Sequence, residues 1–166
     1  MRKAGFTLLE LLVVLVLISI VAAVAIPAYF SRSDVTLENA AILFAKDLRA
    51  AQNRSAFVGE ETLVELFEDG DGYRVLDALG SPVDNPRNEL PFERRYSIDA
   101  VFRGVTIAAA KTPEDRRLRF SARGEPSGPF EVILRFGGDE RTVCMDPPYG
   151  ELRILGSTSG WIDLGY

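Results

Sequence analysis

Two hydrophobic rhythms divide the chain. From Phe6 to Phe30 apolar residues run almost unbroken, with Glu10 set among them. From Leu37 the pattern changes. Leu37, Ala41, Phe44, Leu48, Ala51 and Ser55 recur at alternating steps of four and three, the repeat of one face of an amphipathic helix. Lys46, Asp47, Arg49 and Asn53 fall off that stripe. Ser33 or Thr36 offers an N-cap and Gly59 a stop. One long helix is therefore expected from about Thr7 to Phe57, bent near Pro27, where proline removes a backbone hydrogen bond. The same proline also suits the end of a membrane span.

After Gly59 the rhythm is strand-like. TLVELF (62–67) and YRVLD (73–77) flank EDGDG, a hairpin turn. Residues 78–92 hold three prolines, a glycine and two asparagines and read as a loop. Further strands are expected at 101–108, 118–121, 130–136, 141–145 and 152–155, with GGDE as a tight turn. A helix followed by an antiparallel sheet is an α+β order. Trp161, in the small and polar tail, is expected to pack on the domain.

The opening segment changes how the composition is read. Of 19 basic and 24 acidic residues, Arg2, Lys3 and Glu10 precede Ser31, so the remainder carries a formal charge of −6. That acidic remainder has no basic stripe, which makes nucleic acid a poor partner, although Arg94–Arg95 and Arg116–Arg117 leave room for local patches. There is no histidine, which removes Ser-His and Cys-His catalysis and histidine-containing metal sites. The lone Cys144 makes no intrachain disulfide and is expected to be a buried structural thiol.

No charged residue occurs between Glu10 and Arg32, and the 20 residues Leu11–Phe30 suffice to cross a bilayer as a helix. Arg2 and Lys3 would hold the N-terminus in the cytoplasm and put the rest outside. A cleaved secretory signal competes, since VAAVA supplies small residues, but the apolar run is too long and contains a carboxylate. Such a carboxylate costs a few kcal/mol in a membrane and calls for a partner. Cutting the chain between Gly5 and Phe6 would supply one. The new α-amino group would lie one helical turn from Glu10, or meet the Glu10 of a neighbouring subunit.

At this point the sequence KAGFTLLELLVVLVLISIVAAVAIP resembles the class III signal of type IV pilins and type II secretion pseudopilins. Gly5, Phe6, Thr7, Leu8 and Glu10 match in register. The C-terminal run LRFSARGEPSGPFEVILRFGGDERTVCMDPPYGELRIL resembles the GspH/FimT type of minor pseudopilin, with Phe120, Gly124 and Gly150 in place. The resemblance implies a pilin-like α+β fold: a long N-terminal helix, membrane-spanning in its first half, packed on a C-terminal antiparallel β-sheet domain. It implies a leader at 1–5, a filament-core helix half at 6–30, an amphipathic half at 31–58 and a periplasmic β-rich domain at 59–166. Gly5 would be required by a prepilin peptidase, Phe6 would become the N-methylated terminus, Glu10 would set register in the filament, and Pro27 would mark a helix kink. No cofactor, metal or catalytic residue is implied. Partners would be other major and minor pseudopilins or pilins, the peptidase/N-methyltransferase, the inner membrane before assembly, and secreted cargo. Because Glu10 is kept, the subunit would sit near, but below, the tip.

Other chemistry is weak. Asp69-Gly-Asp71-Gly resembles the start of a calcium loop but lacks the later ligands, so it reads as a turn. GEPSGP lacks the form of a phosphate loop, and Glu60–Glu61 sits in a charged surface run. Three readings follow. The first is a minor pseudopilin of a type II secretion system. The second is a FimT-like minor pilin serving motility, adhesion or DNA uptake. The third is a membrane-anchored periplasmic enzyme, which a deep polar pocket would be needed to support.

Overall fold

In the computed structural model the described residues are 8–85, 90–156 and 162–163, with 24–34 and 162–163 described as backbone alone. One helix, α1 (Leu8–Val58), is continuous through Pro27 and has no separate start at Ser33 or Thr36. It ends where Gly59 donates its N–H to the Ser55 carbonyl.

Among the described residues, nine strands follow in two antiparallel sheets. They are β1 (Thr62–Leu66), β2 (Gly72–Asp77), β3 (Glu93–Arg95), β4 (Thr106–Lys111), β5 (Arg117–Phe120), β6 (Phe130–Phe136), β7 (Asp139–Asp146), β8 (Glu151–Leu155) and β9 (Ile162–Asp163). The four-stranded sheet has the order β3-β2-β1-β5, and the five-stranded sheet β4-β6-β7-β8-β9. The α+β, pilin-like architecture read from the sequence is the one observed. Two details differ. The strand expected at 101–108 begins at Thr106, because 101–104 form a turn closed by Val105 N–H on the Phe102 carbonyl. Strands β3 and β9, of three and two residues, were not expected.

The helix stripe is the core. Leu37, Ala41, Phe44, Leu48, Ala51 and Ser55 are all buried, and each sheet turns one face onto them. Phe44 reaches both sheets, with its ring centroid 4.7 Å from Tyr73 of β2 and 6.1 Å from Phe130 of β6. The alternation in the strands is what makes this possible. Val64 and Leu66 of β1, Val132 and Leu134 of β6, and Val143 and Met145 of β7 point inward while their neighbours point out. Burying an aliphatic or aromatic side chain of this kind is worth about 1.5–3 kcal/mol each. The apolar contact between helix and sheets is therefore the dominant stabilising term.

The same alternation corrects the expectation for Cys144. It faces outward between the buried Val143 and Met145 and is only half-buried. Burial, with the Glu131 carboxylate nearby, pushes its thiol above the ordinary range, away from the reactive thiolate.

Candidate functional site

The helix has two chemically different halves. Twelve large side chains between Leu8 and Val21 are at least two-fifths exposed. Leaving such a surface in water forfeits on the order of 10 kcal/mol of burial, so it needs lipid or other helices around it. Among the described residues, no helix is long and apolar enough to cross a membrane. The span expected at Leu11–Phe30 runs into 24–34, whose side chains are outside the described residues. Glu10 is described, and its side chain projects from the first turn of α1 on this exposed surface. Gly5 and Phe6 lie outside the described residues, as does Trp161. Pro27 is described only as helical backbone.

The second half of the helix is anchored by three buried polar contacts, and none of them was legible as a contact in the sequence. Asp47, placed off the apolar stripe, is in fact buried. Its Oδ2 accepts from the Tyr73 hydroxyl at 2.6 Å and from Arg94 Nε at 3.2 Å. Arg94 also reaches Asp99 at 3.8 Å. Burial pushes the Tyr73 hydroxyl well above its ordinary range, reinforced by Tyr96 and Asp47, so it stays a proton donor. On β7 the buried Arg141 donates to Glu38 at 2.9 Å. Gln52 donates from Nε2 to the Gly124 carbonyl at 2.8 Å and the Tyr149 carbonyl at 3.0 Å, while its Oε1 accepts from Arg49. One amide thus ties the helix to the β5–β6 and β7–β8 turns.

This gives Gly124 and Gly150 a physical role. Both have left-handed φ, +81° and +73°. A Cβ on Gly150 would come within 2.5 Å of Gln52 Nε2, and one on Gly124 within 3.3 Å of Ala56 Cβ. They let two turns close onto the helix.

The Asp69/Asp71 turn is held from within. Asp71 donates its N–H to Asp69 Oδ1 and accepts from Ser97 N–H and Oγ, and Arg95 lies 3.6 and 3.7 Å from the two carboxylates. The arginine pairs singled out as potential basic patches are engaged too. Arg94 and Arg95 face Asp47, Asp99, Glu93 and the turn, Arg117 binds Glu65 at 2.5 Å, and Arg116 donates to the Phe67 carbonyl.

Residues 1–26 match the model of the prokaryotic N-terminal methylation motif. Two solved structures share the fold. One is the minor pseudopilin EpsH from the type 2 secretion system of Vibrio cholerae, with TM-score 0.56 and 16% identity over 74% of this chain and 98% of that one. The other is the type IV minor pilin FimU of Pseudomonas aeruginosa strain PAO1, with TM-score 0.50 and 17% identity over 74% of this chain and 89% of that one. This is a pilin-type fold behind a prepilin-type methylation motif. No curated protein matches the chain. The neighbours are structural subunits rather than enzymes, and the findings support the GspH/FimT-type resemblance read from the sequence.

Proposed function

We propose that the chain is a minor pseudopilin of a type II secretion system, cut after Gly5, methylated on Phe6 and assembled into a short periplasmic pseudopilus near its tip. The observation that carries this reading is the build of α1. An exposed apolar half lying within a methylation motif continues without a break into a half locked in a two-sheet domain, and that domain has the fold of a secretion pseudopilin. Before assembly the apolar half would sit in the inner membrane with the domain in the periplasm. In the filament the helices would exchange lipid for one another. Glu10 would pair with a neighbour's Phe6 amine, and Pro27 would let the helix bend. The organisation into leader 1–5, core helix 6–30, amphipathic helix 31–58 and globular domain 59–166 belongs to the same proposal. The work done is assembly, not turnover.

The FimU likeness favours one second reading, a minor pilin of a type IV pilus. The engagement of Arg94, Arg95 and Arg117 by carboxylates speaks against DNA capture as its task.

A deletion strain separates the two. Exoprotein secretion, twitching motility and transformation are measured in the same cultures. Loss of secretion with normal motility is the expected result. Normal secretion with lost motility moves the protein to the pilus.

A further inference from the structure

The strand directions bring one loop to the end of the domain that faces the apolar half of α1. Glu38 holds Arg141 near the start of β7, and Gln52 holds the Tyr149 carbonyl just past its end, so β7 runs along the helix toward Val58. Antiparallel β6 therefore runs back toward the apolar half, and β4, antiparallel to β6, leaves it again. In the other sheet β1 starts beside the end of the helix and descends, β2 ascends and β3 descends. Residues 96–105 join descending β3 to ascending β4, so their tip lies at the apolar-half end. A Cβ on Gly104 would come within 3.0 Å of the Phe136 ring, which puts this loop level with the β6–β7 turn.

The tip is apolar and rigidly held. Ile98 is 81% and Val101 63% exposed. Phe102 is buried, its ring centroid 6.5 Å from that of Tyr96. Asp99 Oδ1 accepts from the Val101 and Phe102 N–H groups, and the Asp99 N–H donates to the Tyr96 carbonyl. Ser97 is tied to Asp71, and Val105 N–H to the Phe102 carbonyl. Two large aliphatic side chains are thus kept outside by a loop that has no freedom to fold them in. Arg103, exposed beside them, makes no ion pair among the described residues.

The height of the tip identifies what covers it. If Leu11–Phe30 fills the hydrocarbon core, Glu38 stands about 12 Å beyond its edge, at about 1.5 Å per helical residue. The β6–β7 turn reaches three strand residues below Arg141, which brings it to within roughly 5 Å of that edge. The headgroup layer is itself about 5–8 Å deep. A domain carried on an unbroken α1 therefore sets Ile98, Val101 and Arg103 at the depth of the lipid headgroups.

We propose that this loop is a second point of membrane attachment for the unassembled subunit. Ile98 and Val101 enter the boundary between headgroups and acyl chains, and Arg103 extends along it to the lipid phosphates. Asp69 and Asp139 are exposed at the same end, so apolar insertion rather than charge drives the contact. With α1 as the other attachment, the loop fixes how the domain stands over the bilayer. The contact is given up when the helix leaves lipid for the filament. This inference rests on the membrane-anchored reading above.

The test uses the full-length chain with Cys144→Ser, reconstituted in vesicles of phosphatidylethanolamine and phosphatidylglycerol. A polarity-sensitive fluorophore is attached to a single cysteine, introduced as Leu17→Cys, Ile98→Cys or Leu79→Cys. Leu17 lies in the apolar half of α1, and Leu79, 91% exposed, follows β2 at the far end of the domain. The quencher is a lipid spin-labelled near the headgroup end of its acyl chain. The labels at 17 and 98 should both be quenched, several-fold more than the label at 79. A label on Ala100→Cys should be quenched as well, and should lose most of that quenching when Ile98→Ser and Val101→Ser are added. Quenching at 17 with none above the Leu79 control at 98 overturns the loop contact alone. Blue-shifted emission at 98 that lipid does not quench also overturns it, since the loop is then buried against protein. Quenching at 100 that ignores the two serine substitutions overturns it too. No quenching at 17 overturns the anchored reading and the loop contact with it.

Discussion

Replacing Gly150 with alanine tests whether Gln52 is the knot that holds the turns to the helix. The residue sits at φ +73°, where an L side chain is strained by roughly 1–2 kcal/mol. The added Cβ would also stand 2.5 Å from Gln52 Nε2 and 3.1 Å from its Cδ. A glutamine end is ordinarily free to swing aside. Here Nε2 is committed to the Gly124 and Tyr149 carbonyls, and leaving a buried acceptor without its donor costs about 1–3 kcal/mol. The sum is about 3 kcal/mol, or a fall in Tm of roughly 6–12 °C for a chain of this size. Thermal unfolding of the full chain in detergent micelles, followed by far-ultraviolet circular dichroism, reads it directly. Gln52→Ala in the same background removes the side chain that Gly150→Ala collides with. The double variant should therefore be more stable than the sum of the single losses by about 1–2 kcal/mol. Additivity within about 0.5 kcal/mol, or a Gly150→Ala variant as stable as the parent, would refute the reasoning.

Other outcomes follow from the same geometry. Glu65 is partly buried, which by itself would raise its pKa, but hydrogen bonds from Arg117 and Arg74 outweigh burial and hold it below the ordinary value. Its stabilising effect is thus present above the usual carboxylate range and lost as pH falls through the depressed value. Glu65→Gln should lower Tm at neutral pH, with the gap to the parent narrowing as the pH falls below the ordinary carboxylate range; a gap that does not change with pH contradicts the assignment. Glu10→Ala should leave leader cleavage intact and reduce incorporation into sheared filaments, and normal incorporation would remove its register role. Gly5→Leu should leave the chain at its uncut length on a gel, and a mature-size band would remove the peptidase claim. Tyr73→Phe, which takes a donor from the buried Asp47, should destabilise by about 1–3 kcal/mol in the same micelle assay.

The α+β order, the single long helix and its buried stripe were legible because they rest on local periodicity. A residue's neighbours at three and four positions are its neighbours on a helix whatever the rest of the chain does. The methylation motif was legible for a related reason: it occupies one unbroken stretch, residues 1–26. The polar anchors were not. Asp47 reads as a surface residue until Arg94 and Tyr73, 47 and 26 positions away, are folded onto it. Gln52 likewise gives no signal until two turns some 70 and 100 residues later close on its amide, although the glycines at 124 and 150 marked where those turns lie. The short β3 and β9 carry too few alternating residues to register, and Cys144 took the wrong side because its alternation fits either face until the sheet docks.

Sequence alone thus determined a methylation motif with its apolar helix, the amphipathic continuation and the strands to follow, since each depends on spacing along the chain. Only the tertiary structure decided which polar residues are buried, which sheet face meets the helix, and which two turns close on the Gln52 amide. Those outcomes depend on distances between residues that the chain itself keeps far apart.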